Sequence, residues 1–222
     1  MVPRVGIVLF PGSNDERDAA RALRLLGAEP VLIWHGDEEL PDVHAVVLPG
    51  GFSYGDYLRC GAIARFTPAM RAVAQLADEG GLVLGICDGF QILAEAGVLP
   101  GALRPNASLE FVCRDVPVVV ERADLPFTLR CDPGQKLTIP IKCGEGAWYG
   151  EVPENQVVLR YAGENATGSL DGVAGVCNEA GNVMGLMPHP EHAVDPLLGS
   201  ADGGLILGSL VDAARERLAV MR

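Results

Sequence analysis

The first half of the chain repeats one pattern, a short apolar run that ends in glycine, proline or a polar residue and is followed by a longer, more polar segment. The strands of a parallel sheet have short, apolar sequences, because the helices that connect them cover both faces of the sheet. The pattern therefore predicts an α/β fold with a mostly parallel central sheet. Its predicted strands cover residues 5–10, 31–34, 43–48 and 82–86.

Local signals place helices between these runs. Ser13 and Glu16 have the spacing of a capping box, which predicts a helix that runs to about residue 26 and ends at Gly27. Thr67 and Pro68 have the residue types of an N-cap and a first helical position, and predict a second helix that runs through residue 79.

The second half has a different pattern, in which strand-like runs are separated by Gly, Pro, Asn and Asp with little helical periodicity. This predicts antiparallel strands, a short hairpin loop over residues 178–182 and a closing helix over about residues 204–221. We find no linker or internal repeat, so one domain is expected over residues 1–222. The predicted strands cover residues 111–120, 137–141, 157–162, 172–177 and 182–187.

The charge balance excludes one class of function. The 222-residue chain carries a formal net charge of −12, and its 17 Lys and Arg residues are scattered, whereas phosphate binding needs them clustered. A nucleic-acid partner is therefore not expected. The sequence also lacks an apolar run of membrane-spanning length, and its start does not have the pattern of a secretory signal. We expect no membrane partner and a cytoplasmic location.

The six cysteines are widely spaced and include no C-x-x-C pair, which indicates free thiols rather than a disulfide framework. Cys87 stands out because it is central to Gly85-Ile86-Cys87-Asp88-Gly89, directly after a predicted strand and before a predicted helix. This is the context of a nucleophile elbow with cysteine in place of serine. The positive end of the helix dipole favours the reactive thiolate there. The alternative is a buried structural cysteine in a tight turn.

A cysteine nucleophile needs a base and a group that orients the base. His189 follows an apolar run, is flanked by two prolines, and is followed two residues later by Glu191, which can hold one ring nitrogen. His189, Glu191 and His192 could alternatively be metal ligands, but their spacing matches no common zinc pattern, so no metal is expected. Backbone N–H groups of Gly51 and Asp88 are candidates for binding the oxyanion.

Three stretches of the sequence resemble a known family. The stretches PGGFSYGDYLRCGAIA (49–64), GICDGFQILAEAGVLPGAL (85–103) and MPHPEHAVDPLLGSADG (187–203) are similar to the class I, triad-type glutamine amidotransferases. Within that class, FSYGDYLR and the early FPGSNDERD resemble the separate glutaminase subunits of phosphoribosylformylglycinamidine synthases. The resemblance extends from the first predicted strand to the last predicted helix.

The resemblance implies a flavodoxin-like three-layer sandwich and one glutamine amidotransferase type 1 domain. It implies that Cys87 is the nucleophile, that His189 and Glu191 complete a triad, and that the N–H groups of Gly51 and Asp88 bind the oxyanion. It also places four residues in the glutamine pocket, namely Gln91, Asn106, Ser108 and Phe111.

Two residues depart from the family pattern, which usually has Asn at the position of Asp88 and Arg at that of His192. A carboxylate aimed at the oxyanion would oppose its charge, so we predict that the side chain of Asp88 points outward. Three alternatives stay open: a glutaminase subunit of another amidotransferase, a cysteine hydrolase of the peptidase-like flavodoxin group, and a binding module without catalysis.

The implied activity is hydrolysis of glutamine, with ammonia passed to an ATP-dependent partner in de novo purine biosynthesis. The sequence has no Gly-x-x-x-x-Gly-Lys loop for phosphate, so no cofactor is expected in this chain, and ATP and Mg²⁺ are expected on the partner. The resemblance names that partner as a large synthetase subunit, together with a small third subunit. Residues 53–65 are the predicted contact surface and ammonia exit.

Overall fold

The computed structural model describes residues 2–220, and within them a central sheet has nine strands in the order β2-β1-β3-β4-β11-β10-β9-β6-β7. The two remaining strands, β5 and β8, form a small second sheet. Numbered along the chain, the strands are β1 (Arg4–Leu9), β2 (Glu29–Trp34), β3 (Ala45–Leu48), β4 (Leu82–Ile86), β5 (Ala102–Arg104), β6 (Val112–Val120), β7 (Lys136–Cys143), β8 (Ala147–Tyr149), β9 (Val157–Tyr161), β10 (Val173–Cys177) and β11 (Val183–Leu186).

The sheet changes direction at β11. Strands β2, β1, β3, β4 and β11 pair in parallel, whereas β11 with β10, β10 with β9, β9 with β6, and β6 with β7 pair antiparallel. A parallel first half and an antiparallel second half are therefore both confirmed. Because β11 lies beside β4, the segment that follows Leu186 leaves the sheet next to the segment that follows Ile86.

Four α-helices occur in residues 2–220: α1 (Glu16–Leu25), α2 (Pro68–Asp78), α3 (Asp88–Glu95) and α4 (Gly203–Val220). Helices α1 and α4 pack against each other and against β1, whereas α2 and α3 pack against β4. The side chains between these helices and the sheet are buried and apolar, so the helices cover the core that the parallel strands require. The predicted α/β class with a mixed sheet is confirmed.

The start of α2 matches its prediction and the start of α1 does not. Thr67 accepts a hydrogen bond from the N–H of Met70 at 3.4 Å, as an N-cap does, and Pro68 is the first helical residue. The capping box predicted at Ser13 is wrong: Ser13 Oγ accepts from the N–H of Phe10 at 3.0 Å, and Ser13 pairs with Gly51 across a β-bridge. Tertiary pairing of this loop therefore overrides the local helix signal.

The closing helix occupies residues 203–220, and residue 221 of its predicted span lies outside the described residues. Sequence patterns predicted the hairpin between β10 and β11, where Gly181 N–H donates to Asn178, but not the three-residue strands β5 and β8. None of the helices within residues 2–220 combines the length and the hydropathy that crossing a bilayer requires.

Candidate active site

Cys87 lies at a sharp turn between β4 and α3. Its backbone has φ 51° and ψ −104°, a conformation that non-glycine residues adopt rarely and that is typical of functional sites. The flanking glycines are required by space: a Cβ on Gly85 would lie 2.6 Å from the carbonyl oxygen of Gly89, and a Cβ on Gly89 would collide with the carbonyl of Leu48. The predicted elbow is therefore present.

The segment after β11 brings His189 and Glu191 to the same edge of the sheet. The N–H of Cys87 donates to Leu186 at 2.8 Å, and the N–H of His189 donates to the carbonyl of Pro140 on β7 at 2.7 Å. His189 Nδ1 lies 2.6 Å from Glu191 Oε1, and both side chains are buried. An ionised carboxylate only accepts, so this bond assigns the ring proton to Nδ1 and leaves Nε2 as an acceptor. Nε2 is buried and has no hydrogen-bond partner within residues 2–220.

The Cys87 thiol donates to the carbonyl of Lys142, with Sγ 3.7 Å from the oxygen. Burial raises the pKa of this thiol well above its ordinary value, and the neighbouring Cys143 and the carboxylates of Asp88 and Glu191 raise it further. Cys87 therefore rests as the thiol and not as the thiolate that the helix dipole was expected to favour. A base must remove the proton before the sulfur can attack.

Two backbone N–H groups are available near this sulfur. The loops that contain Ser13 and Gly51 pair across a β-bridge. In this bridge the N–H of Phe52 donates to the carbonyl of Gly12, and the N–H of Asn14 donates to the carbonyl of Gly50. The N–H of Gly51 has no acceptor within the described chain. Gly51 and Cys87 line the same cavity. Asp88 is the first residue of α3, so its N–H has no partner inside the helix. Neither N–H is used by the bridge or by the helix, and their binding of an oxyanion stays a prediction.

The prediction that the Asp88 side chain points outward is wrong. It has no solvent exposure, and Ser53 donates to it twice, from the backbone N–H at 3.0 Å and from Oγ at 2.9 Å. Burial raises the pKa of Asp88 to about 7, while these hydrogen bonds from Ser53 lower it. The side chain is buried because the loop that starts at Ser53 covers the first turn of α3.

A cavity of about 270 Å³ opens beside Cys87. Of the four predicted pocket residues, Gln91 and Phe111 line it, and Gln91 Nε2 donates to the carbonyl of Glu145 at 2.6 Å.

Asn106 does not line the cavity: its amide is buried, donates to the carbonyls of Glu110 and Cys143, and accepts from Gly146 N–H. Ser108 is exposed, does not line the cavity, and accepts a bond from Glu110 N–H at 3.2 Å. Asn106 and Ser108 therefore shape the loop around the pocket.

Sequence reasoning missed other lining residues, which include Asp56, Cys60, Lys142, Cys143, Gly144 and Glu145. Most of them belong to β7 and the turn after it, more than 50 residues from Cys87, and carry no local motif. Asp15 was also missed, although it lies within FPGSNDERD. Its carboxylate is buried between Lys142 and the two histidines of the site.

One cluster near the site has the composition of a metal centre. Ligand atoms of Asp15, His189, Glu191 and His192 lie within 4.8 Å of one another. However, the ammonium of Lys142 binds Asp15 at 2.5 Å, and Nδ1 of His189 carries the proton bound to Glu191. A metal ion would have to displace a lysine and a proton, so we interpret the cluster as a network of hydrogen bonds around His189.

Comparisons with known proteins support one family. Residues 2–202 match a model described as a CobB/CobQ-like glutamine amidotransferase domain. Phosphoribosylformylglycinamidine synthase subunit PurQ of Rubrobacter xylanophilus is 55% identical over 219 residues, covering 96% of this chain and 99% of that relative. The protein of the same name from Trichormus variabilis is 51% identical over 217 residues, covering 94% and 97%.

Two solved structures are similar to this fold. A chain in the structure of PurLQS from Thermotoga maritima has a TM-score of 0.91 and 46% identity, and the match covers 96% of this chain and 99% of that one. A putative GMP synthase subunit from Thermoplasma acidophilum has a TM-score of 0.73 at 16% identity, covering 100% and 98%. The second likeness shows a shared fold alone.

Proposed function

Because this chain belongs to the CobB/CobQ-like glutamine amidotransferase family, we propose that it is the glutaminase subunit of a phosphoribosylformylglycinamidine synthase. The proposal is supported by the strained elbow at Cys87, by the buried His189–Glu191 pair on the segment that follows the neighbouring strand, and by 55% identity to a subunit of that name. In this proposal each member of the predicted triad has a chemical role.

The first step forms a covalent bond to the substrate. The thiol of Cys87 passes its proton to Nε2 of His189, and the sulfur attacks the side-chain carboxamide carbon of glutamine. The N–H groups of Gly51 and Asp88 stabilise the resulting oxyanion. Glu191 holds the proton on Nδ1 and stabilises the imidazolium that forms, as the carboxylate of a catalytic triad does.

The second step releases ammonia and restores the enzyme. The imidazolium of His189 gives its Nε2 proton to the leaving nitrogen, the C–N bond breaks, and a γ-glutamyl thioester remains on Cys87. His189 then removes a proton from water, and the hydroxide attacks the thioester. Cleavage of the C–S bond releases glutamate, and the sulfur regains its proton.

The ammonia is used on another chain. The solved Thermotoga maritima structure is of a PurLQS complex, and we infer that this chain likewise assembles with a large synthetase subunit, together with a small third subunit. We place the ATP and Mg²⁺ of the amidation step on the large subunit, in agreement with the absence of a phosphate-binding Gly-x-x-x-x-Gly-Lys loop from this sequence. A cytoplasmic location is part of the same proposal.

The 53–65 segment is our candidate for the contact with the synthetase. It is fixed at both ends of α3, by Ser53 on Asp88 and by Arg59 on Glu95, whose side chains form two hydrogen bonds of 2.6 Å. Between these anchors, the apolar side chains of Tyr57 and Leu58 are 74% and 88% exposed. Large exposed apolar groups beside a cavity are typical of interaction sites. Docking here would cover the cavity and receive the ammonia.

The alternatives have weaker support. The relatives described above are named for the purine enzyme, and the putative GMP synthase chain shares the fold at only 16% identity. A cysteine hydrolase of the peptidase-like flavodoxin group carries His directly after its nucleophile, where this chain has Asp88. A non-catalytic binding module would not need the buried pair of His189 and Glu191 beside the elbow.

Glutamate release tests the proposal. Glutamine hydrolysis is measured for the wild-type chain and for Cys87→Ala, each alone and with the synthetase subunits. Cys131→Ala is the matched control, because Cys131 lies in the connection between β6 and β7, at the opposite end of β7 from Lys142, whose carbonyl binds the Cys87 thiol. We expect hydrolysis by wild type and Cys131→Ala in the complex and none by Cys87→Ala. A wild-type chain that releases no glutamate in the complex would overturn the proposal.

A further inference from the structure

Asp15 is the N-cap residue of α1 but does not cap it. An aspartate at this position usually accepts a hydrogen bond from the first turn of its helix, and this side chain accepts none. The residue is only 4% exposed, and its carboxylate turns away from the helix toward the active site. A buried carboxylate that gives up its local partner must be stabilised by others.

Three cationic or imidazole groups surround that carboxylate. Oδ1 lies 2.5 Å from Lys142 Nζ and 3.2 Å from His192 Nε2, and Oδ2 lies 3.5 Å from His189 Nδ1. Burial alone would raise the pKa of Asp15, but the hydrogen bond from His192 and the charges of His189 and Lys142 outweigh burial and hold the pKa well below its usual range. Asp15 is therefore negatively charged at neutral pH.

The same residues also touch the rest of the catalytic apparatus. The backbone N–H of Asp15 donates to the carbonyl of Gly50, next to the proposed oxyanion donor Gly51. The backbone carbonyl of Lys142 accepts from the thiol of Cys87. The pair of Asp15 and Lys142 thus joins the first loop, the oxyanion loop and the strand that binds the nucleophile.

We propose that Asp15 is a positioning residue for the catalytic histidine, a second carboxylate that acts with Glu191 on the Nδ1 side of His189. This inference rests on the proposed glutaminase function and adds a residue to it. Glu191 makes the short hydrogen bond that fixes the tautomer. Asp15 stabilises the imidazolium formed when the Cys87 proton is transferred, and Lys142 moderates the strength of that effect.

A structural role and an electrostatic role make different predictions. The charged and titratable groups that face His189 are Glu191 and His192 from its own segment, and Asp15 from the first loop with Lys142 of β7 bound to it. The thiol of Cys87, which the proposed mechanism requires on the Nε2 side, is bonded to the carbonyl of Lys142. Removing the negative charge of Asp15 disfavours the imidazolium, whereas removing the positive charge of Lys142 favours it. A lost structural contact has no such change of sign.

The experiment uses Asp15→Asn and Lys142→Met, with Asp195→Asn as the matched control. Asp195 also contacts α1, where it pairs with Arg21 at 3.2 Å, but within residues 2–220 it forms no hydrogen bond or ion pair with His189. Ring titration of His189 is followed by NMR in the full chain, which contains only four histidines. The pH dependence of kcat and KM for glutamine is measured in the complex with the synthetase.

We expect the Asp15→Asn ring titration and the acid limb of kcat to move to lower pH by about one unit, because an opposite charge at this distance acts on that scale. We also expect kcat to fall roughly 10-fold, with a smaller change in KM. Lys142→Met should move both midpoints to higher pH, and Asp195→Asn should leave them unchanged.

Unchanged midpoints in Asp15→Asn, or shifts in the same direction for both variants, would overturn the inference. Loss of kcat without a moved midpoint would show a structural role and would also overturn it. The ring titration does not depend on turnover, so it decides the role of Asp15 even if the wild-type chain proves not to hydrolyse glutamine.

Discussion

Replacing Asp88 with asparagine should remove a pH dependence of stability that comes from one buried carboxyl. Burial raises the pKa of Asp88 from 3.8 to about 7, although hydrogen bonds from Ser53 oppose the rise. In the unfolded chain the carboxyl ionises near its ordinary value. Between these two values the native state binds more protons than the unfolded state, so the free energy of unfolding falls as pH rises and levels off above about pH 7.

The size of the effect follows from the two pKa values. A rise from 3.8 to about 7 corresponds to about 4 kcal/mol once the group is fully ionised, at about 1.4 kcal/mol per pH unit. The side chain is fully buried, so no discount for solvent applies. Part of this loss has already occurred at pH 5. Between pH 5 and pH 8 the free energy of unfolding of wild type should therefore fall, relative to Asp88→Asn, by roughly 2 to 3 kcal/mol.

Urea unfolding of both proteins near pH 5 and near pH 8 measures this difference, and subtracting the variant from wild type cancels the other titrating groups. Asp124→Asn is the control: its hydrogen bond with Arg122 lowers the pKa of Asp124, so this carboxyl is already ionised at both pH values. A difference between wild type and Asp88→Asn that is the same at both pH values would show that Asp88 does not bind a proton more tightly in the folded protein than in the unfolded chain.

Three further predictions concern the site and its surface. Gly50→Ala should lower the rate of glutamine hydrolysis roughly 100-fold, because the new Cβ would lie 2.6 Å from His189 Cε1 and displace the ring. Amidation with added ammonia should continue, and glutamine hydrolysis at the wild-type rate would contradict this prediction. Glu191→Gln should lower kcat for glutamine hydrolysis roughly 10³- to 10⁴-fold, because the amide can bind the wrong tautomer of the His189 ring. A change confined to KM would argue against Glu191 as the residue that orients His189. Leu58→Asp should weaken binding of the synthetase in calorimetric titration and leave Tm unchanged, since Leu58 is 88% exposed; equal affinity would exclude the 53–65 segment as the contact.

The elbow and the parallel strands could be predicted because their causes are local. The apolar run over residues 82–86 was predicted with the bounds that the structure has, and the Gly-x-Cys-x-Gly spacing requires the tight turn that Cys87 adopts. The N-cap at Thr67 was predictable for the same reason. In each case the residues that form the feature are neighbours in sequence.

The network around His189 could not be predicted, because its members come from distant parts of the chain. Lys142 and Asp15 are separated by 127 residues, and no spacing rule links a lysine on β7 to an aspartate before α1. The capping box at Ser13 failed for a related reason, since pairing with Gly51 fixes that loop from outside. The prediction for Asp88 was wrong because it considered the oxyanion and not the segment that covers the helix.

In the proposed mechanism Cys87 carries a γ-glutamyl thioester during turnover. The direct measurement mixes the complex with isotopically labelled glutamine, stops the reaction with acid within one turnover, and maps the label on peptides by mass spectrometry. The mechanism predicts label on the peptide that contains Cys87, released by hydroxylamine and absent from Cys87→Ala. Release of labelled glutamate from a protein that never carries label at Cys87 would contradict it.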